Sequence, residues 1–369
     1  MKALILGGAG FVGSHLADAL VKRGYQVRVL DNLELRAHRG GTASNVGHDI
    51  RILKGDIRDR AAMETGLDGA DFVFHQAEYS GRGSDYAKYF HSNVVSTALL
   101  FEIIREKHLP IRKVVIASSQ AVYGEGQYYC ATHGLVLPEA RSAEQFESGI
   151  WETQCPDCKT ALVPVLLREG RPNPESPYGI SKLAQEQIAL RLGKQLGVPT
   201  VVLRYAIVQG PRPLERADTG RIWEMFARAF ESCNSPVIFE DGKQLRDFVH
   251  VSDVVAANVL VLEDPRAEGQ TYNVGTGRGT TVLDYARLLM KKMNRQIPLE
   301  TLGKYRAGDY RHTIPSIAKL QTLGWKPVKG LNEIFDDYLS ARGFCAVDGN
   351  TANAELSAVT ADASDGATH

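Results

Sequence analysis

Residues 2–13 of the chain read KALILGGAGFVG, an apolar segment that leads into a glycine-rich turn. The apolar segment, Lys2–Leu6, has the pattern of a buried parallel strand. A helical spacing of apolar residues follows the turn, and a second apolar run, Gln26–Leu30, ends at Asp31. This order of strand, glycine turn, helix, strand and acid predicts a βαβ unit.

Each of the three spaced glycines is required in the turn for a different physical reason. Gly7 permits a tight turn, Gly10 lets the backbone approach a diphosphate, and Gly13 lets the helix pack on the strand. The phosphates would lie at the helix N-terminus, where free N–H groups and the helix dipole favour anions. The predicted dinucleotide site therefore includes the first helical residues, Phe11 and Val12.

The acid at the end of the second strand indicates which dinucleotide binds. Asp31 can accept hydrogen bonds from the adenosine ribose hydroxyls, and its charge would repel a 2′-phosphate. The next residue, Asn32, supplies no guanidinium to receive such a phosphate. We therefore predict NAD rather than NADP as the cofactor.

Apolar runs continue to alternate with helical segments, at residues 50–53, 72–75, 113–117 and 200–203. A long helix is predicted over 86–107, with Asn93 inside it. Repeated βα units predict an α/β fold with a doubly wound parallel (Rossmann) sheet, whose ligands bind beyond the carboxyl ends of the strands. Ser119 lies at such an end, which favours a role in the site over simple turn chemistry.

Tyr178 and Lys182 are four residues apart, so they share one face of the helix predicted after Pro177. An ammonium beside a phenol favours the phenolate and lowers the phenol pKa from its usual value near 10. A tyrosine tuned in this way can take a proton from a substrate hydroxyl at neutral pH. The same spacing is common by chance, so the pair gains weight only together with the glycine turn and Ser119.

Together these motifs resemble the extended short-chain dehydrogenases/reductases of the NAD-dependent nucleotide-sugar epimerase and dehydratase family, over about residues 1–340. The resemblance implies that Ser119 binds the reacting sugar oxygen and that Tyr178 is the acid/base. It implies that Lys182 holds the nicotinamide ribose, with Asn93 supporting the lysine through a water molecule. The further cofactor contacts that it implies are Asp56, Ile57 and Ala77.

The resemblance also places the sugar nucleotide. Arg246 is expected to contact the diphosphate, since a guanidinium fork suits phosphate oxygens. Arg306 is expected to be a second phosphate clamp, and Asp309 belongs to the same Arg-Ala-Gly-Asp motif. At the position of Ile207, relatives commonly carry an asparagine that reaches the diphosphate. Because isoleucine cannot make that hydrogen bond, the contact is in doubt for this chain.

The two residues after Ser119 bear on the reaction. Relatives that dehydrate carry an Asp-Glu pair there, and relatives that decarboxylate carry a glutamate at the second position, whereas this chain has Gln120 and Ala121. Hydride transfer at C4 of the sugar, followed by return of the hydride to the other face, needs only one acid/base. We therefore predict an isomerase, a nucleotide-sugar 4-epimerase that uses NAD without consuming it.

Two other functions stay open at this point. One is a sugar-nucleotide reductase or dehydrogenase with net redox turnover. The other is a non-enzymatic cofactor-sensing protein, which need not keep Ser119, Tyr178 and Lys182. Because all three are present, the enzyme is favoured.

An insert of about fifty residues, 125–174, is longer than a loop from strand to helix needs. It contains two ligand pairs, Cys130 with His133 and Cys155 with Cys158, separated by a loop of about twenty residues, which fits a tetrahedral Cys₃His zinc site. A tetrahedron filled by protein ligands has no open position, so the predicted zinc is structural. The alternatives are coincidence, or a module that has lost its metal.

Composition excludes several classes of protein. The chain has 369 residues, with 43 basic and 43 acidic side chains and a formal net charge of +0. It has no basic stripe that would indicate nucleic acid, and no apolar run of about 18 residues that would indicate a membrane span. We expect a soluble cytoplasmic protein whose cysteines are reduced.

The predicted domain organisation has four parts. They are an NAD-binding domain over 1–124 and 175–209 with a return over about 246–262, the insert 125–174, a substrate domain mainly over 210–345, and a disordered tail of small and polar residues over 346–369. The resemblance implies a homodimer as well. Its interface would pair the helices around 93–107 and 178–196 across a two-fold axis.

Overall fold

The computed structural model describes residues 1–35, 38, 41–79, 84–212, 222–306 and 308–344. The predicted tail, 346–369, lies outside the described residues. Strands are, in chain order, β1 (Lys2–Leu6), β2 (Gln26–Asp31), β3 (Arg51–Lys54), β4 (Phe72–His75), β5 (Lys113–Ser119), β6 (Tyr128–Cys130), β7 (Gly134–Val136), β8 (Val163–Pro164), β9 (Thr200–Tyr205), β10 (Ile207–Gln209), β11 (Leu245–Arg246), β12 (Phe248–His250), β13 (Thr271–Val274), β14 (Thr280–Thr281) and β15 (His312–Thr313). Helices are α1 (Phe11–Lys22), α2 (Arg60–Leu67), α3 (Tyr86–Tyr89), α4 (Ser96–Glu106), α5 (Ala143–Glu147), α6 (Pro177–Leu196), α7 (Ile222–Glu231), α8 (Val251–Glu263), α9 (Val282–Lys292), α10 (Ala318–Gln321) and α11 (Leu331–Ala341).

Seven parallel strands form the central sheet, in the order β13-β9-β5-β4-β1-β2-β3. This confirms the predicted fold class. The strand order reverses at β1, and such a switch point is where doubly wound sheets bind ligands. The seventh strand, β13, lies beyond the predicted return over 246–262, so the sheet takes more of the C-terminal half than the sequence indicated.

Apolar layers cover both faces of the sheet, because successive side chains of a strand point to opposite sides. Ile5 belongs to one layer with Leu16 of α1. Its neighbour Leu4 belongs to the other layer with Leu100 of α4. Each fully buried leucine or isoleucine contributes roughly 1.5–3 kcal/mol by leaving water. Burial on both faces explains why these strands are continuous apolar runs in the sequence.

Helix α6 begins where its local sequence dictates. The Ser176 hydroxyl accepts a hydrogen bond from the Gly179 N–H at 3.1 Å, and Pro177 fills the first helical position. Gly197 ends the helix in the left-handed conformation, with φ of +68°. Because the helix starts at Pro177, Tyr178 lies in its first turn.

The predicted helix over 86–107 is present, but it is not uniform. Helices α3 and α4 are joined by a π-helical segment, Phe90–Val95, that contains the buried Asn93. A π-helical segment inside a helix is frequent at functional sites. None of the helices in the described part of the chain is long and apolar enough to cross a membrane.

A second, smaller domain packs around an aromatic core. Helices α7, α9 and α11 contribute Phe226, Tyr285 and Phe335 to it. Small sheets of β10 with β12, and of β14, β11 and β15, connect this domain to the central sheet. Strand β11 carries Arg246 and thereby fixes its position.

The insert has its own small fold. Strands β7, β6 and β8 form an antiparallel sheet. Its core is small and consists mainly of Tyr128, Cys130, Cys155 and Leu162. So few apolar side chains supply little stability, which is why such modules need a metal or another brace.

Candidate active site

A cavity of about 820 Å³ lies where the strands of the central sheet end and extends to the second domain. Of the predicted catalytic, cofactor and substrate residues, the following line it: Gly7, Gly10, Phe11, Val12, Gly13, Asp31, Asn32, Asp56, Ile57, Ala77, Ser119, Tyr178, Arg246, Arg306 and Asp309. The other two, Asn93 and Lys182, are fully buried near this wall. The fold therefore brings the predicted residues to one place.

The glycine turn leaves no room for side chains. A Cβ at Gly7, whose φ is +73°, would lie 2.5 Å from Ala77 Cα, and a Cβ at Gly13 would lie 2.4 Å from Gly7 O. At Gly10 the nearest atom would be Gly7 O, at 3.2 Å. Because Gly10 lines the cavity, a side chain there would occupy ligand space.

Asp31 is buried and held by the backbone. It accepts hydrogen bonds from Ala9 N–H at 3.0 Å and Leu33 N–H at 2.9 Å, and it lies 3.4 Å from the His38 ring. These contacts hold the carboxylate at the end of β2, at the cavity wall.

Asp56, also at the cavity wall, is paired with a guanidinium. Arg58 donates to its two oxygens at 2.9 and 2.7 Å. These hydrogen bonds lower the pKa of Asp56. Asn32 Nδ2 donates to the same carboxylate at 3.3 Å, which joins the ends of β2 and β3.

Tyr178 has a partner that the sequence did not indicate. Its hydroxyl donates to Glu78 Oε2 at 2.6 Å, and Lys182 Nζ lies 3.2 Å from the same oxygen. Lys182 Nζ also donates to Ala117 O at 2.9 Å and to Gln185 Oε1 at 3.2 Å. The ammonium thus has three partners, as many as it has donors.

The pKa of Tyr178 differs from the sequence prediction. Burial raises it well above 10, and the Glu78 carboxylate raises it further, while a hydrogen bond with Ser119 lowers it by less. The prediction that the pKa of this phenol lies below its usual value is therefore wrong, because the net shift is upward. The spacing of tyrosine and lysine could not indicate that a carboxylate pairs with both groups.

The surroundings of Lys182 also differ in detail. Asn93 donates to Ser181 Oγ at 2.9 Å, so its direct partner is the neighbour of the lysine. Gln185, one turn further along α6, contacts the lysine and donates to Thr97 Oγ1 at 3.0 Å. The three-residue spacing from Lys182 to Gln185 is the signal that could have found this residue.

The substrate side of the cavity carries two arginines from the second domain. Arg246 donates to Arg311 O at 3.0 Å and to Tyr310 O at 2.6 Å, which holds its guanidinium at the cavity wall. The Arg306 guanidinium lies 4.3 Å from the centre of the Phe239 ring. Ile207 also lines the cavity and offers no polar group there, as its sequence indicates.

The sequence analysis did not predict one part of the cavity wall. Apolar side chains line the second-domain end of the cavity, namely Ile222, Trp223, Met225, Phe226, Val237 and Phe239. They are suited to a base or an apolar sugar face. The first four of these residues lie on α7, and the amphipathic pattern of that helix is the sequence feature that could have indicated them.

Cys130, His133, Cys155 and Cys158 form one cluster, whose ligand atoms all lie within 4.8 Å of one another. His133 Nδ1 lies 3.5 Å from Cys130 Sγ and 3.4 Å from Cys155 Sγ, and Cys130 Sγ lies 3.6 Å from Cys158 Sγ. Ordinary zinc bond lengths in a tetrahedron give about 3.8 Å between sulfurs and about 3.6 Å between sulfur and nitrogen. The backbone N–H of His133 is the main cause that lowers the pKa of the Cys130 thiol, to about 6, which favours the thiolate.

The insert contacts the loop that carries the predicted substrate residues. Arg141 Nη2 donates to Asp309 O at 2.8 Å, and the Phe146 ring stacks on Tyr305 at 4.6 Å. Glu152 binds Arg311, and its carboxylate lies 3.0 Å from His312 Nε2. The cysteine-containing module is therefore fastened to the segment 305–312.

The parallel sheet, the glycine turn and the pairing of Tyr178 with Lys182 on α6 define a dinucleotide-binding protein of the short-chain dehydrogenase/reductase class. More narrowly, the chain belongs to the NAD dependent epimerase/dehydratase family, whose sequence model matches residues 3–137 and 164–275. This confirms the family indicated by the sequence. The segment between the two matches, 138–163, falls within the insert.

Three proteins to which this chain is similar are named as 4-epimerases. A dTDP-L-rhamnose 4-epimerase of Burkholderia thailandensis is 30% identical over 334 residues, which cover 88% of this chain and 90% of that protein. The structure of Thermotoga maritima UDP-glucose 4-epimerase with UDP-glucose has a TM-score of 0.75 and 28% identity, covering 93% of this chain and 99% of that one. The Bacillus cereus UDP-glucuronic acid 4-epimerase with UDP-glucuronic acid and NAD has a TM-score of 0.73 and 26% identity, covering 94% and 100%. Epimerases are isomerases, the enzyme class predicted from the sequence.

Proposed function

We propose that this chain is an NAD-dependent epimerase that inverts C4 of a nucleotide-diphospho-sugar through a transient 4-keto sugar. The observation that carries the proposal is one cavity that joins the glycine turn, Ser119 and Tyr178 to a pair of arginines from the second domain. The named relatives act at C4 of sugar nucleotides, which supports the same reaction.

The residues present fit a dinucleotide. The glycine turn offers space for the diphosphate at the start of α1, where the backbone N–H groups and the helix dipole favour anions, and Asp31 would accept hydrogen bonds from the adenosine ribose. NAD, when bound, supplies a hydride acceptor that is restored within the same turnover. Asp56, Ile57 and Ala77 complete the wall on the cofactor side.

Side chains of this protein transfer the proton and bind the sugar nucleotide. Tyr178 exchanges a proton with the sugar O4, and Ser119 hydrogen-bonds the same oxygen. Lys182 supplies a positive charge beside the phenol and the nicotinamide ribose, supported by Asn93 through its helix neighbour. Arg246 and Arg306 hold the diphosphate while the keto sugar turns over, and the Asp309 carboxylate lies 3.8 Å from the Arg246 guanidinium.

Several sugars are consistent with the cavity. The Cys-x-x-His and Cys-Pro-x-Cys pairs before Tyr178, together with the run 204–211, resemble dTDP-L-rhamnose 4-epimerases, which interconvert dTDP-L-rhamnose and dTDP-6-deoxy-L-talose. On the strength of these motifs, dTDP-L-rhamnose is the substrate that we propose first. The likeness to epimerases of UDP-glucose and UDP-glucuronic acid supports those sugars equally. A reductase or dehydrogenase with net redox turnover is the alternative reaction.

An NMR assay without added cofactor tests the reaction. Purified protein is incubated with dTDP- and UDP-sugars in turn, and inversion at C4 is followed from the sugar resonances. Epimerisation is expected to proceed for many turnovers, and NAD is expected to be released when the protein is denatured. Turnover only with stoichiometric added NAD(H) would indicate the reductase or dehydrogenase instead.

We further infer that the Cys130, His133, Cys155 and Cys158 cluster holds one structural zinc ion. Three thiolates and one imidazole at these separations match a closed tetrahedral site. Elemental analysis of protein purified without a metal-binding tag is expected to give one zinc per chain. Clearly less than one, with proteolysis of the insert unchanged by a chelator, would rule the zinc out.

We also propose a homodimer. The helices that the sequence predicts at the interface carry exposed apolar side chains, with Phe90 37%, Val95 47% and Ile180 41% exposed. A second copy would remove these side chains from water. Light scattering at micromolar concentration is expected to give the mass of two chains, and a monomer mass would contradict the proposal.

A further inference from the structure

The phenol that would exchange a proton with the sugar is itself hydrogen-bonded to a carboxylate. Tyr178 OH and Glu78 Oε2 are 2.6 Å apart, a length typical of a charge-assisted bond. Glu78 lines the cavity, and its side chain is 35% exposed there. Nothing in the tyrosine–lysine spacing requires this third group.

This arrangement offers the proton a second acceptor. We propose that Glu78 is a catalytic residue that accepts, through the phenol of Tyr178, the proton leaving the sugar hydroxyl, and returns it by the same route. This proposal rests on the proposed epimerase function. It deepens that function by assigning the base that finally holds the proton.

The step balances in atoms and charge. The sugar O4–H bond breaks as a new O–H bond forms on Tyr178, and the original phenol O–H bond breaks as an O–H bond forms on Glu78. Bound NAD would supply the acceptor for the C4 hydride and its electron pair, so that loss of the O4 proton leaves a ketone. In the second half of the reaction the hydride would return to the other face of C4, while Glu78 gives its proton back to Tyr178 and Tyr178 gives one to O4. The protein groups are then restored and the sugar is inverted at C4.

Electrostatics favours this relay over a free phenolate. Burial and the Glu78 charge raise the pKa of Tyr178, so the phenol is protonated at neutral pH. A phenolate 2.6 Å from a carboxylate would add a second negative charge to a confined site. If the phenol receives one proton as it gives up another, that doubly charged state is avoided. The Lys182 ammonium, 3.2 Å from Glu78 Oε2, stabilises the carboxylate before the transfer.

The other titratable groups around the pair do not replace Glu78. Those that face it are Lys182 of α6, Tyr89 of α3, Asp85 before it, His75 of β4, Tyr205 of β9 and Lys88 in the cavity wall. Burial, and then the Lys182 charge, lower the pKa of His75 to about 3, so this imidazole is neutral at physiological pH. Burial raises the pKa of both Tyr89 and Tyr205. Glu78 is the carboxylate that accepts the hydrogen bond of the Tyr178 hydroxyl, at 2.6 Å.

Glu78→Gln separates proton acceptance from positioning, since the amide oxygen can still accept the phenol hydrogen bond. We expect kcat to fall about 100-fold or more, with KM changed by no more than a few-fold, because general acid–base groups contribute about 10²–10⁴. Formate is expected to restore part of the kcat of Glu78→Ala. Glu263→Gln, which removes a carboxylate that is 53% exposed and lies on α8 outside the cavity lining, is the control and should keep its kcat.

Two readouts exclude a merely structural role. The proton inventory in mixed H₂O and D₂O is expected to show two transferred protons in the wild type and one in Glu78→Gln. Independently of turnover, ¹³C NMR of labelled tyrosine, assigned with Tyr178→Phe, should show a lower phenol pKa in Glu78→Gln. If the wild type is active and the kcat of Glu78→Gln lies within three-fold of the wild-type kcat, the relay is wrong while the proposed function stands. A wild type that turns over no nucleotide sugar overturns the proposed function and the relay with it, while the phenol titration still reports whether the contact forms.

Discussion

The guanidinium of Arg141 donates hydrogen bonds to both carboxylate oxygens of Glu240, at 2.9 and 3.1 Å, and each side chain is only 1% exposed. Arg141 belongs to the insert, whereas Glu240 belongs to the second domain. Arg311 joins them through a hydrogen bond of 2.9 Å to Glu240. This buried carboxylate therefore links the insert to the loop that precedes β15, and two guanidinium groups share it.

Glu240→Gln is predicted to destabilise the protein by about 3 kcal/mol, because the buried Arg141 guanidinium loses its bidentate carboxylate and the 4.0 Å contact with Glu125 compensates its charge less well. Denaturant unfolding measures the loss. The control is Arg287→Ala, which breaks the pair between Arg287 and Asp284, whose side chains are 59% and 58% exposed. An exposed pair contributes about 0–1 kcal/mol, so equal effects of the two variants would contradict the prediction.

Tyr178→Phe is predicted to keep the fold and bound NAD but to lose nearly all turnover. The ring still packs against Tyr89, 5.9 Å between centroids, whereas the hydroxyl that bonds to Glu78 and that we propose as the proton acceptor is gone. The measurement is epimerisation by NMR, with NAD content and circular dichroism as controls for the fold. Activity within a few-fold of the wild type would contradict the acid/base assignment.

The sequence predicted those features that neighbouring residues determine. Strand β1, the glycine turn and α1 follow from apolar periodicity and from the steric demands of Gly7 and Gly13, and the structure has them at the predicted positions. The two ligand pairs of the insert were found by spacing, and the chain brings all four residues within 4.8 Å. In each case the constraint acts over a few residues.

Contacts between distant residues could not be predicted in this way. Glu78 and Tyr178 are 100 residues apart, and no periodicity links the end of β4 to the start of α6. The sign of the Tyr178 pKa shift was wrong for the same reason, because spacing indicates a shared helix face but not burial or a distant carboxylate. The pairing of Arg141 with Glu240, across 99 residues, was equally beyond the sequence pattern.

Cys155→Ser is predicted to abolish zinc binding and to weaken substrate binding while bound NAD is retained. The physical reason is the attachment of the insert to the segment 305–312, which includes Arg306 and Asp309. KM for the nucleotide sugar and zinc content are the measurements. Cys233→Ser, at an exposed cysteine outside the cluster, is the matched control and should change neither. Loss of zinc with an unchanged KM would show that the insert does not shape the substrate site.

His75 is predicted to make the protein sensitive to acid. It is fully buried, and burial, with the Lys182 charge, lowers its pKa to about 3, against about 6.5 in the unfolded chain. Between these values the unfolded state binds more protons than the folded state, so stability is present above about pH 6.5 and is lost as the pH falls towards 3. The slope from one such group is at most about 1.4 kcal/mol per pH unit. Unfolding by urea at several pH values between 7 and 4 should therefore show a flatter dependence for His75→Gln than for the wild type. His48→Gln, at an exposed histidine, should keep the wild-type slope, and equal slopes for all three proteins would contradict the role of the buried imidazole.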